Sequence, residues 1–265
     1  RTIHHPSKEL KSIQRYILKN ILIPNFPISS YAFAYHSGMG IRNHAKQHVK
    51  NNYLLRMDFK EFFPSLSGKD IRIHIQKYGN SINNNWLDED TQHLINFVCK
   101  DNRLTIGAVT SPFISNSLCF KMDNKIAKVC KPHEVVYTRY ADDLYFSTKQ
   151  SNILFNLEHE IVEIIEQLDY PEKLEFNNEK TIHTSRKHKR AVTGLILTSD
   201  KKISIGRPKK REIRAKIHQW ENLDEGEKQY LSGFLSYCKD VEPRFISSMY
   251  KKYRSKISEI MKYTD

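Results

Sequence analysis

The stretch Thr138-Arg139-Tyr140-Ala141-Asp142-Asp143-Leu144-Tyr145 decides how the rest of the chain is read. Its two adjacent carboxylates lie between Val135-Val136-Tyr137-Thr138 and Leu144-Tyr145-Phe146-Ser147. β-Branched and aromatic residues enrich both flanks and a short polar break parts them, so the stretch predicts a β-hairpin. Asp142 and Asp143 then have two readings. Aspartate favours turns, because its side chain bonds nearby backbone. Alternatively, hairpin carboxylates hold a divalent cation: hard ions take oxygen ligands, and Mg²⁺ commonly uses one or two carboxylates together with substrate phosphates. The second reading requires another carboxylate on a neighbouring strand.

Asp58 meets that requirement. Tyr53-Leu54-Leu55-Arg56-Met57 reads as a strand running into it, and Phe59-Lys60-Glu61-Phe62-Phe63-Pro64-Ser65-Leu66 follows. Its alternative reading is a cap for the following turn. A strand-end aspartate and a hairpin pair, far apart in sequence, can meet on one sheet, which is the arrangement a two-metal phosphoryl-transfer site needs.

At this point the motifs resemble a known family. Tyr140-Ala141-Asp142-Asp143 resembles the catalytic box of reverse transcriptases, and Asp58–Leu66 resembles their first palm motif. Gly107-Ala108-Val109-Thr110-Ser111-Pro112-Phe113-Ile114-Ser115-Asn116 resembles their glycine-containing nucleotide-side motif. Within that superfamily the chain is most similar to bacterial retron reverse transcriptases, from Arg1–Leu10 to the helical C-terminal third. The resemblance implies an α+β right-hand polymerase: fingers over 1–52, an antiparallel-sheet palm over 53–206 with inserted finger helices at about 67–103, and a helical thumb over 207–265. It also implies template-directed attack of a primer hydroxyl on a dNTP, with two Mg²⁺ ions held by the set Asp58, Phe59, Asp142 and Asp143. Asp58, Asp142 and Asp143 are the catalytic residues it predicts.

Bulk properties agree with a nucleic-acid partner. Among 265 residues, 39% are hydrophobic, enough for a buried core, and the net charge is +13, which points to a polyanion. Cys99, Cys119, Cys130 and Cys238 are scattered without a C-x-x-C pair, so they read as reduced core thiols of a cytoplasmic protein. No apolar run approaches ~18 residues, so no membrane span is expected. The chain starts without Met, inside a stretch that resembles a family motif, and an upstream segment is expected.

Taken in order, Ser7 caps a predicted helix with Leu10, Ile13, Ile17 and Ile21 at helical spacing, ended by Pro24 and Pro27. In the family, the Arg1 position reaches the nucleotide phosphates; a solvated terminal arginine is the other reading. Arg42, His44, Lys46, His48 and Lys50 make a basic stretch, read as a nucleic-acid face rather than a metal site. Ala45 and His48 match the retron Asn-Ala-x-x-His signature, with His44 where Asn is expected. Phe63, five positions past Asp58, stands where the family has an aromatic beneath the incoming sugar; core packing is its other reading. In the family the Gly107 position belongs to the nucleotide site, but Ile106 stands here where Gln is usual, which puts fidelity in question. Ile71, Ile75 and Tyr78 fit a helix ending at Gly79, and Asp88 starts another with Leu94, Ile95 and Val98. Ser111-Pro112 opens a further helix.

Beyond the hairpin, Asn152–Leu168 is predicted helical. Asn177-Asn178-Glu179-Lys180-Thr181 resembles the next palm motif, and Lys180 is the candidate proton donor to pyrophosphate. Arg186, Lys187 and Arg190 are candidate phosphate contacts in a basic loop. Ala191–Leu197 reads as one strand carrying the intact retron tripeptide Val192-Thr193-Gly194. Six of the ten residues Arg207–Lys216 are basic, and the scarcity of acidic partners assigns Lys209, Lys210, Arg211 and Arg214 to nucleic acid. Helices around Glu227–Lys239 and Pro243–Met261 complete a three-helix thumb.

The resemblance further implies a structured non-coding RNA that serves as template and primer, an RNA–DNA hybrid product, multicopy single-stranded DNA (msDNA), an associated effector protein and a role in anti-phage defence. Another bacterial reverse transcriptase lineage, of group II intron or abortive-infection type, is the nearest alternative; Val192-Thr193-Gly194 argues against it. A catalytically silent RNA-binding scaffold would not need three acids. A metal-dependent nuclease would need neither Phe63 nor the Gly107 motif. The gate reading predicts that Phe63→Ala raises rNTP incorporation relative to dNTP in steady-state assays, and an unchanged ratio assigns Phe63 to the core.

Overall fold

Asp58 and the two hairpin acids are brought to one end of the sheet by strand pairing. In the computed structural model, which describes residues 3–79, 82 and 85–263, β1 (Tyr53–Asp58), β2 (Val136–Tyr140) and β3 (Asp143–Thr148) pair antiparallel. With β4 (Ile182–Ser185) they form a sheet in the order β2-β3-β1-β4. The register sets Tyr140 opposite Asp143 and Asp143 opposite Asp58. Period-2 alternation then sorts the side chains. Tyr137, Arg139, Leu144, Phe146, Leu55 and Met57 share one face, each at most 3% exposed. Arg56, Asp58, Asp143 and Tyr145 share the other. The helices Phe120–Cys130 and Ile153–Glu166 contact the sheet, the latter burying Leu154, Leu157, Ile161 and Ile165.

The chain divides into two compact units. The first comprises Arg1–Met39 and Asn51–His183, the second Gly40–Lys50 and Thr184–Asp265. In the first, Ser7 caps helix Lys8–Ile17 by accepting from the Leu10 N–H at 3.2 Å, and the helix continues as a π-turn over Leu18–Leu22 before the prolines end it. Helix Gly68–Tyr78 stops at Gly79, as its sequence predicts. Asp88–Val98 and Ser111–Leu118 follow. Ser67 and Asp70 cap Gly68–Tyr78 reciprocally, which satisfies two otherwise unpaired N–H groups.

The second unit differs from its expected form in two places. Ala191–Leu197 is not one strand. β5 (Arg190–Val192) and β6 (Leu195–Leu197) pair antiparallel, joined by Thr193-Gly194 with φ of +46° and +83°. Two positive φ values are what a type I′ hairpin turn requires, and glycine takes the second without strain. β7 (Ile203–Ser204) completes this small sheet, and helix Ile41–His48 lies against all three strands. The last expected helix breaks at Tyr253 into Pro243–Lys252 and Arg254–Lys262, both contributing to one core with Arg207–His218 and Glu225–Val241. Ile213, Ile217, Trp220, Leu235, Ile257 and Ile260 form that core.

Three histidines are buried without charge. Burial pushes His44 down to about 3 and His74 down to about 4, the latter helped by Lys77; His48 is held well below its usual range by burial and by His44. The His74 ring is fixed by the Ser117 hydroxyl at 2.8 Å and the Tyr170 hydroxyl at 3.2 Å. Unfolding lets each imidazole take up a proton below its ordinary value of 6.5, so the unfolded chain binds more protons and stability falls as pH drops from about 6.5 toward 4. Chemical denaturation at pH 7 and pH 5 checks this. His74→Gln is expected to remove about 2 kcal/mol of the acid-induced loss, the contribution of one such group over that interval.

Candidate active site

The hairpin loop has two residues, Ala141 and Asp142, between β2 and β3. Ala141 has φ +56°. That position of a two-residue turn normally takes glycine, so an alanine there is strained, by about 1–3 kcal/mol. The strain is held by a buried network. The guanidinium of Arg139 donates through Nε to Asp123 Oδ1 and through Nη2 to Asp123 Oδ2, both at 2.8 Å, and through Nη1 to the Ala141 carbonyl and Asn116 Oδ1, both at 3.1 Å. Tyr137 donates its hydroxyl to Asp123 at 2.7 Å. Asn116 in turn donates to the Ala34 carbonyl at 2.8 Å. Both charged side chains are wholly buried. Burial opposes the Arg139 charge, but Asp123 outweighs it and raises the guanidinium further. Arg139 also exchanges backbone bonds with the N-terminal loop, its N–H to the Tyr31 carbonyl and its carbonyl to the Phe33 N–H.

The three predicted acids are neighbours at one end of the sheet. Asp58, 3% exposed, lies opposite Asp143. Phe59 donates its N–H to the Asp142 carbonyl at 3.1 Å, which ties the end of β1 to the loop. Asn177 donates to the Asp58 carbonyl at 2.7 Å, so the segment carrying Lys180 is stitched alongside. Lys180 Nζ then reaches Asp58 Oδ2 at 3.0 Å. Arg56 contacts Asp143 Oδ1 through Nε at 2.9 Å and Nη2 at 2.8 Å. Burial pushes the Asp143 carboxyl up to about 6 against the pull of Arg56, and Asp142 and Asp58 add to the rise.

Beside the acids opens a cleft of about 440 Å³. Phe63, Tyr35, Glu61, Asp142, Lys100 and Arg103 contribute to its lining. Phe62 is core, 4% exposed, whereas Phe63 faces the cleft with its ring 6.3 Å from that of Tyr35. Gly107 has φ +106°, and a Cβ there would sit 2.1 Å from the His4 carbonyl oxygen, so only glycine fits against this N-terminal segment. His4 donates its N–H to the Ile106 carbonyl at 2.9 Å. Arg1 lies outside the described residues.

Other predicted contacts are placed differently. His48, expected to touch nucleic acid, is fully buried beside His44, their rings 5.5 Å apart; Lys46 and Lys50 are the exposed cations of that stretch. Arg190 is also buried, donating to the Thr198 carbonyl at 3.2 Å, while Arg186 and Lys187 are exposed. The helix Arg207–His218 does have acidic partners. Lys209 pairs with Glu212 and lies over Tyr230 and Phe234, and Lys210 pairs with Glu242. Arg214 packs over Phe245, which leaves Arg207 and Arg211 as exposed cations. Sequence reasoning missed Arg56, Tyr35, Asp123 and Arg139. A charged residue inside an otherwise apolar strand, two positions before an acid, was the available signal for Arg56.

The donor chemistry suits a hard divalent cation: clustered carboxylate oxygens at a sheet end, on a scaffold that fixes them. Among the described residues, no three His, Cys, Asp or Glu side chains converge on one ion-sized point; Asp58 is paired with Lys180 and Asp143 with Arg56.

The reverse transcriptase (RNA-dependent DNA polymerase) family matches residues 1–198. The retron Ec83 reverse transcriptase of Escherichia coli is 32% identical over 277 residues, covering 100% of this chain and 86% of that protein. The chain belongs to the retron reverse transcriptases. The retron Ec86 enzyme of E. coli is 33% identical over 96% of this chain and 78% of its own length. The retron Mx65 enzyme of Myxococcus xanthus is 28% identical over 92% and 58%. Among solved structures, apo telomerase from Candida tropicalis superposes with a TM-score of 0.53 at 12% identity, over 98% of this chain and 54% of that one, a likeness of fold. This retron reverse transcriptase is therefore an α+β polymerase of the right-hand class and an RNA-directed DNA polymerase that uses divalent metal. No helix among the described residues is long and apolar enough to cross a membrane.

Removing Asp123 would strand the Arg139 guanidinium in the interior. Asp123→Asn is expected to cost about 3–5 kcal/mol, the range for breaking one side of a buried pair. Urea unfolding monitored by fluorescence measures it, and a loss under 1 kcal/mol would contradict the buried-pair account.

Proposed function

We propose that this enzyme copies a dedicated structured non-coding RNA into msDNA by two-Mg²⁺ nucleotidyl transfer, as a cytoplasmic component of an anti-phage system with an effector protein. The observation that carries the chemistry is the opposition of Asp58 and Asp143 with Asp142 in the adjoining loop, at the edge of a cleft lined by Phe63. Asp58 and Asp142 would hold Mg²⁺, with Asp143 and Phe59 beside them. When bound, the metal lowers the pKa of the attacking primer hydroxyl and neutralises pyrophosphate. Lys180, half-exposed and paired with Asp58, would give a proton to the leaving group. Phe63 would pack beneath the sugar and exclude a 2′-OH. Lys100 and Arg103 line the same cleft and suit triphosphate oxygens.

In this enzyme the fingers would span 1–52, the palm 53–206 and the thumb 207–265. The RNA partner is supported by the net charge of +13 and by the exposed cations Arg186, Lys187, Arg207 and Arg211. Recognition of such an RNA rests on shape and unpaired bases, because side chains cannot read the deep groove of duplex RNA.

Primer extension on an RNA template with labelled dNTP tests the chemistry. Asp58→Asn and Asp142→Asn are each expected to lower the rate by about a thousandfold or more while the fold persists. Near wild-type extension by either removes the metal assignment. For the partner, Arg207→Ala/Arg211→Ala should flatten the plot of log affinity against log salt by about 1.5, the counterion release of two phosphate contacts. RNA co-purified from the native host is the ligand; an unchanged slope would place the RNA elsewhere.

A further inference from the structure

Helix Lys8–Ile17 sorts its side chains against their hydropathy. It buries Gln14, 2% exposed, together with Ile17, while Ile13 is 39% and Tyr16 65% exposed. A buried amide costs free energy unless its donor and acceptor are both paired. Gln14 pairs both. Its Nε2 donates to the Phe97 carbonyl at 2.9 Å, and its Oε1 accepts from the Val109 N–H at 3.1 Å. Phe97 lies in the last turn of helix Asp88–Val98, where carbonyls have no partner within the helix. Val109 lies two residues before helix Ser111–Leu118, where the chain is not yet helical. One side chain therefore ties the end of one helix to the approach of the next. The chain between them walls the cleft through Lys100, Asp101, Arg103, Thr105 and Ile106. Its middle is fastened elsewhere: Arg103 Nη1 donates to the Pro64 carbonyl at 2.7 Å, and the Leu104 N–H to the Leu66 carbonyl at 2.9 Å. Towards Val109 the Ile106 carbonyl accepts from the His4 N–H at 2.9 Å.

We infer that Gln14 is a positioning residue for the incoming nucleotide: it staples Phe97 to Val109 and so sets the cleft wall that carries Lys100 and Arg103. The inference rests on the reading of this cleft as the nucleotide site. Glutamine suits the task because its planar amide offers an acceptor and donors at a fixed spacing. Without it, the Phe97 carbonyl and the Val109 N–H lose their shared partner, and an unpaired polar group away from water is costly. The wall then relaxes between its remaining anchors at Pro64, Leu66 and His4. A displaced wall meets the nucleotide less well in the ground state and in the transition state alike, so the loss falls on KM and not on kcat.

The test combines amide hydrogen exchange without nucleotide and single-nucleotide incorporation on a primed RNA template, both with the full chain. Gln14→Met keeps the length of the side chain and removes both hydrogen bonds. It should speed exchange in the segment 98–110 about tenfold. It should also raise the KM for dNTP about fivefold, the weight of one hydrogen bond, and leave kcat and the KM for primer–template within about twofold. Gln14→Asn, one methylene shorter, keeps one of the two bonds and should fall between; it also serves if Gln14→Met does not fold. Ile17→Ala destabilises the same helix but spares both bonds, so its dNTP KM should stay within about twofold of wild type. A merely structural role would lower thermal stability in Gln14→Met and Ile17→Ala alike and move neither dNTP KM. Unchanged exchange in Gln14→Met overturns the staple. Faster exchange with an unchanged dNTP KM overturns its role in nucleotide placement, provided that Lys100→Ala/Arg103→Ala raises that KM. If that double variant also leaves the KM unchanged, the nucleotide reading of the cleft falls, and the inference with it.

Discussion

The Arg139–Asp123 pair constrains everything at the hairpin. Four groups from outside the pair converge on it: the Tyr137 hydroxyl, the Asn116 amide, the Ala141 carbonyl and the backbone of the Tyr31–Phe33 loop. A buried ion pair is a poor source of stability, since desolvation consumes most of its attraction. Its value here is positional. Helix Phe120–Cys130 supplies Asp123, helix Ser111–Leu118 supplies Asn116, and strand β2 supplies Arg139, so three elements must dock before the guanidinium is satisfied. Once it is, the Ala141 carbonyl is pinned in a backbone conformation that alanine alone would avoid. Core packing thus overrides local preference at the point where the acids must be aimed.

On the opposite face of the same sheet the electrostatics are reversed. Three carboxylates gather where water is partly excluded, and two cations from neighbouring segments offset them. Arg139 works through a fully dry network with no solvent access, whereas Lys180 remains half in water. One cation is architectural and the other exchangeable, although both are single positive charges paired with aspartate. Burial and the number of simultaneous donors make the difference.

Much of this was legible in the sequence. Asp58, Asp142 and Asp143 stood out because carboxylates interrupt apolar strands, and strand pairing brings them together without further information. Phe63 and Gly107 were legible through motif spacing, and Gly107 also has a local reason, its positive φ against the His4 carbonyl. What escaped was burial that depends on distant partners. Arg190, His44 and His48 are polar by composition and read as surface, and Arg139 drew no reading, yet each of the four is at most 2% exposed. Lys209 and Lys210 looked unpaired because Glu242 lies 32 residues from Lys210 and Glu212 was counted only as a minority charge. Thr193-Gly194 lacked the Asn-Gly form that announces a tight turn, so two short strands read as one.

The two retron signatures meet inside one compact unit. His44 Nδ1 lies 3.4 Å from the Thr193 hydroxyl, 149 residues away, on a helix packed against β5, β6 and β7. That unit is assembled from two separate lengths of chain, Gly40–Lys50 and Thr184–Asp265, while all three acids belong to the other. The marks of lineage and the candidate acids therefore belong to different compact units, interleaved along the chain. Grafting only the C-terminal segment of another retron enzyme would pair a foreign tripeptide loop with the resident His44. A functional chimera has to carry the eleven-residue helix-bearing insert along with the C-terminal segment, because the smaller piece supplies the floor on which the larger one's sheet is laid.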